Sequence, residues 1–227
     1  VYSPRYSFDT TIEQDLQEWE RIAEYGLCLV HAVSLHSFRN GDLSRRRAQD
    51  VLKTWDVISA SLIARRRLWT QSRIRSRNPV ETSMLEKNIA MYSSVGLILD
   101  VPAENILGTY PKDVFFPTHA PAENYQFADL ILHGYSEDNY LFAERYNRIQ
   151  PPLEIFRNTR KFHSVSDYNE ILVVTRPQAK IHFAMTKEVG VTGIIYFPSN
   201  RGACRVDDET LLEALQQLNP ELQIERA

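Results

Sequence analysis

The chain has 227 residues, 43% of them hydrophobic and 24% charged, values that belong to a folded protein long enough to bury a core without staples. Its two cysteines, Cys28 and Cys204, exclude a disulfide framework and a cysteine-built metal site, and a formal net charge of -3 argues against a dedicated nucleic-acid binder. No apolar run approaches the roughly 18 residues that a membrane-spanning helix needs, and the opening residue, Val1, is read as the loss of an N-terminal segment with any targeting signal it carried.

The first predicted element is a helix over residues 11–25. Thr11 and Gln14 have capping-box spacing, Ile12, Leu16, Trp19 and Ala23 recur at helical intervals, and Gly26 stands where a helix stop belongs. Residues 27–33, Leu-Cys-Leu-Val-His-Ala-Val, read as a buried strand with one polar interruption, followed by a polar connection with room for a short helix. Residues 56–63 form a second predicted strand, in which Ser59 and Ser61 sit among β-branched and apolar neighbours. A basic stretch follows, with Arg65, Arg66, Arg67, Arg73, Arg75 and Arg77, and then a predicted helix over 81–92. Residues 95–101 predict a third strand stopped by Pro102; residues 103–121 read as irregular, and helical pieces are expected within 124–148. Late strands are expected at 171–175 and 191–197, and an amphipathic helix near 208–218 aligns Leu211, Leu212, Leu215 and Leu218. Without a regular strand–helix alternation, the pattern predicts an α+β fold: an N-terminal helical segment over 1–26, and one compact domain over 27–227.

The chain has no Gly-rich phosphate loop, no HExxH pair and no nucleophile elbow, and its six histidines lack metal-ligand spacing, so no metal is expected. Three features carry chemistry, each with a structural alternative. His31 lies inside an apolar strand, as a bonded core residue or as a ligand contact. Ser59 and Ser61 fall on one strand face, where two hydroxyls either bond a ribose and orient a carboxylate or pack tightly against a neighbour. Glu170 directly precedes the apolar Ile-Leu-Val-Val, either as a solvated end charge or as a fixed carboxylate.

In this order, His31 on the first strand, hydrophobic-Ser-x-Ser-hydrophobic on the second, and Tyr168-Asn169-Glu170 leading into a late strand, the chain resembles the mono-ADP-ribosyltransferase family. The similarity runs over residues 27–197, and Ile58–Ile63, Gly96–Pro102 and Tyr168–Val174 look like a subgroup of bacterial effector transferases. The resemblance implies a split, mixed β core with helices to one side, a cleft for NAD as co-substrate, and no metal. It implies Glu170 as the catalytic carboxylate, His31, Ser59 and Ser61 as NAD-binding or orienting residues, and Tyr92, Tyr110 or Phe115 as the ring that stacks on nicotinamide.

One branch of the family carries His on the first strand and the other Ser-x-Ser on the second; this chain has both. Arginine-modifying members carry Glu two positions before the catalytic glutamate, and asparagine- or cysteine-modifying members carry Gln. Tyr168 holds that place here, which points to a hydroxyl acceptor, threonine favoured, with Tyr168 and Asn169 near the target. The implied partner is a host protein, ubiquitin first, met by a secreted effector in the host cytoplasm. An RNA-acting toxin using the arginine stretch and His31, or an inactive adaptor of the same fold, are the alternatives.

Overall fold

The computed structural model describes residues 17–33, 42–64, 94–112, 167–181, 184–198 and 202–226. Its centre is a seven-stranded sheet, built because the apolar runs of the sequence are buried on both faces rather than one. The strands are β1 (Leu27–Val33), β2 (Val57–Ala64), β3 (Val95–Asp100), β4 (Ile106–Lys112), β5 (Asp167–Val174), β8 (Gly190–Tyr196) and β9 (Gln223–Arg226), and a two-stranded hairpin is formed by β6 (Lys180–Ile181) and β7 (Ala184–Met185). Across the sheet the order is β4-β5-β2-β1-β3-β8-β9. Every neighbouring pair is antiparallel except β8 and β9, which run parallel, so the sheet is mixed and the fold is α+β.

Alternation sorts the side chains into two cores. Leu27, Leu29 and Val33 of β1, Ile58, Ala60 and Leu62 of β2, and Ile171 and Val173 of β5 belong to the larger one. The described helices pack on that face: α1 (Ala48–Leu52) through Ala48, Val51 and Leu52, and α2 (Gly202–Leu218) through Leu211, Leu212 and Leu215. Cys28, Val30, Ile63, Ile98, Ile195 and Phe197 make a smaller core on the opposite face.

Several expectations change. Only the end of the N-terminal helix is described; after Trp19 the chain closes in three-residue turns, with Tyr25 N–H donating to the Ile22 carbonyl (3.1 Å), and Gly26 takes the left-handed φ of 69° that stops it. The stretch read as irregular contains a short 3₁₀ turn (Ala103–Asn105) and then β4. Register shifts between Ile106 and Gly108 and between Tyr110 and Lys112 break the two-residue period that marks a strand, and Pro111 is tolerated because β4 lies at the sheet edge. Strand β5 begins at Asp167, not Ile171: pairing with β4 carries the polar Asp-Tyr-Asn-Glu into the ladder against its weak strand preference. The predicted helices at 81–92 and 124–148 lie outside the described residues.

The end of β5 is held by a buried amide. Asn105, 0% exposed, donates through Nδ2 to the carbonyls of Val174 (2.7 Å) and Lys187 (2.8 Å), and its Oδ1 accepts from Lys187 N–H (2.9 Å). Beside it, burial pulls the Glu104 carboxyl upward, but the hydrogen bond from Lys187 Nζ (2.6 Å), a backbone N–H and the Lys187 charge outweigh burial and leave it below the usual range. Asn105→Ala removes the partner of three backbone groups at once, the buried Val174 carbonyl and the half-buried N–H and carbonyl of Lys187. It is expected to lower unfolding stability by about 2–4 kcal/mol, read as a lower urea midpoint at unchanged slope.

Candidate functional site

Strand β2 is shared between two neighbours, each over half its length. Val57 to Ala60 pair with β5, from Val57↔Val174 to Ala60↔Ile171. Ser61 to Ala64 pair with β1, from Val30↔Ser61 to Leu27↔Ala64. Beyond Val30, β1 stays with β3 as far as Val33↔Val95 while its described pairing with β2 has stopped. The sheet thus opens in two places, between the end of β1 and the start of β2, and between the end of β2 and the start of β5.

Ser59-Ala60-Ser61 stands where the partner changes. One further step of the β2–β5 register sets Ser61 alongside Glu170, and Glu170 is itself paired with Tyr110 of β4. Tyr110 and Glu170 are therefore paired, and Ser61 stands level with them one position past the last β2–β5 pair, Ala60↔Ile171. Ser61 is buried and Ser59 half-buried, and both carry the parity of Ile63, which belongs to the smaller core.

His31 carries the opposite parity, that of Leu29 and Val33 in the larger core. Its Nδ1 lies 2.7 Å from the backbone carbonyl of Ser59. A carbonyl only accepts, so Nδ1 bears the proton and donates. The ring stands edge-on to the buried Trp55, with centroids 5.6 Å apart and planes at 72°. Trp55 is anchored in turn by Thr175, at the end of β5: Thr175 Oγ1 donates to the Trp55 carbonyl (2.7 Å) and Thr175 N–H to the Asp56 carbonyl (2.9 Å). Asp56, 1% exposed, has Arg176 Nε 3.8 Å from its carboxylate, so a charge pair closes this end of β2.

The structure thus brings Ser59, Ser61, Tyr110 and Glu170 to adjoining strand positions and joins His31 to Ser59 through the main chain. Tyr168 and Asn169 lie in β5 rather than in a loop. Tyr92, Phe115 and the arginines from Arg65 to Arg77 lie outside the described residues. Sequence reasoning passed over Trp55 and Thr175 as site residues; an aromatic residue immediately before one strand and a hydroxyl at the end of another were the available signals. Comparison with family models, curated proteins and solved structures finds no match to this chain.

The opening can be measured directly. With Cys28 and Cys204 replaced by Ala, the pair Ser61→Cys and Glu170→Cys is expected to cross-link under mild oxidation, because neighbouring strand positions fall within disulfide reach. The pair Ile63→Cys and Tyr168→Cys, two steps into the opening on the same register, is expected to stay reduced. Cross-linking of both pairs in a non-reducing gel would mean that β2 and β5 do not part.

Proposed function

We propose that the chain is a mono-ADP-ribosyltransferase with an ADP-ribosyltransferase-like split core, that NAD is its co-substrate, and that Glu170 is its catalytic carboxylate. The observation that carries the reading is the partner change of β2 at Ser61, which sets the Ser-x-Ser strand next to Glu170 at an opening in a mixed sheet with its described helices on one face. The family resemblance implies that combination, and sequence order alone leaves it undetermined.

The chemistry follows from the residue types. Breaking the bond between nicotinamide and ribose sends its electron pair to nicotinamide and leaves positive charge on the anomeric carbon and ring oxygen, as in glycoside hydrolysis. A carboxylate fixed beside that ribose stabilises the charge as it develops, with little gain in the ground state. Ser59 and Ser61 supply hydroxyls that orient the carboxylate or bond the ribose. An acceptor hydroxyl then attacks the anomeric carbon and releases its proton, completing the transfer. Tyr168, where an acidic or amide residue would select arginine, asparagine or cysteine, favours a hydroxyl acceptor, threonine first, on a host protein such as ubiquitin. The setting this implies is a secreted bacterial effector at work in a host cell.

Glu170→Gln tests the reading. It keeps the side-chain size and one acceptor oxygen but removes the charge, so turnover is expected to fall by about 10²–10³ or more while binding of NAD largely persists. Mass spectrometry of a candidate target reads the transfer, and the rise in melting temperature on adding NAD reads the binding. Asp167→Asn, three residues away and of opposite strand parity, is the control and keeps most activity. A folded, fully active Glu170→Gln rules out this carboxylate; absence of both NAD binding and NAD consumption by the parent protein rules out the enzyme class.

A further inference from the structure

We infer that His31 is a positioning residue rather than an NAD contact: its Nδ1–H replaces the ladder hydrogen bond that β1 ceases to give β2, and so sets the width of the opening that holds the serine strand. The inference rests on the transferase reading of Ser59, Ser61 and Glu170, and its test separates the two.

If the β1–β2 pairing continued past Val30↔Ser61, the next residue to exchange hydrogen bonds with β1 would be Ser59, opposite Ala32. Along an antiparallel strand, successive residues turn their N–H and C=O to alternate neighbours, so the Ser59 carbonyl faces β1 whether or not the ladder reaches it. It is met by the His31 imidazole at 2.7 Å. A side chain standing in for a main-chain donor holds the strands farther apart than the roughly 4.8 Å of a regular ladder, without leaving the carbonyl bare.

The ring is held from both sides. Trp55 backs the imidazole from the core, and Thr175 fixes Trp55 and Asp56 to the end of β5. On the other side, β1 remains paired with β3 through Val33. His31 therefore links the β1–β3 half of the sheet to the β2–β5 half at the point where they separate. Moving Ser59 moves Ser61 two residues along, and with it the row that includes Glu170.

A ring whose Nδ1 is committed to a carbonyl has one tautomer when neutral, and that tautomer distinguishes the two amide replacements. Asn places its NH₂ near the position of Nδ1, whereas Gln reaches toward that of Nε2.

The experiment compares the parent with His31→Asn, His31→Gln and His31→Ala. Long-range ¹H–¹⁵N spectra of the parent are expected to show the Nδ1–H tautomer. His31→Asn is expected to keep kcat within a few-fold, while His31→Gln and His31→Ala lose about 10²-fold in kcat with KM for NAD nearly unchanged, the signature of misplaced groups rather than a lost ligand contact. Amide exchange across residues 58–62 is expected to quicken in the Gln and Ala variants and stay slow in the Asn variant. Retention by Gln and loss by Asn, with the loss falling on KM, would overturn the inference and return His31 to direct ligand contact; so would an Nε2–H tautomer or full activity in all three variants. If the parent neither binds nor consumes NAD, the transferase reading fails on that result alone. Tautomer and exchange then decide the role of His31 at the opening, unchanged exchange in all three variants overturning it.

Discussion

A strand has two edges, and a sheet is continuous only where both are satisfied along their full length. β2 meets that demand by halves: Val57 to Ala60 serve β5 and Ser61 to Ala64 serve β1. The rest of the architecture follows from this division. It leaves backbone groups at two openings that need other donors and acceptors, places the two serines at the junction, and turns one sheet into two half-sheets hinged on a single strand.

The devices that hold this arrangement are a buried amide and a half-buried imidazole set among apolar side chains. The Asn105 amide closes the far end of β5 against the segment before β8, and the His31 imidazole closes the near end of β2 against β1. Each bonds main chain rather than another side chain, so each fixes where a strand lies, not merely what it touches. The apolar cores on the two faces supply most of the burial, but packing is indifferent to a small sideways slip; directional bonds are not.

Much of the sheet was legible in the sequence because its central strands are apolar on both faces. Residues 27–33, 56–63 and 95–101 are foreseen within one residue of β1, β2 and β3, and the leucine spacing marks the latter part of α2. The polar half of β5 and all of β4 were not, since Asp167 to Glu170 owe their conformation to a neighbour and β4 loses its alternation at two register shifts. The parallel edge strand β9 was also missed: Gln223–Arg226 contains one apolar residue, Ile224, too little to show a period. At the candidate site, Ser59, Ser61 and Glu170 could be singled out by type and order. Their adjacency could not, because it depends on which edge of β2 meets which strand. The bond from His31 to a main-chain carbonyl was invisible for a related reason: side-chain patterns say nothing about which backbone groups a ladder leaves behind.

The order of the strands also governs how the molecule comes together. β1 lies beside β2 and β3, but β2 waits for β5 and β3 for β8, partners about a hundred positions further along the chain. Such long closures carry a large entropic cost before any contact forms, and topologies rich in them fold slowly. The β1–β2 pair can form early; the row that joins Ser61 to Glu170 and Tyr110 cannot exist until the late segment docks. A fluctuation that releases β4 and β5 together would therefore dissolve the candidate site while leaving β1, β3 and β8 assembled, so the row at Ser61 and the bulk of the core can differ in stability within one fold.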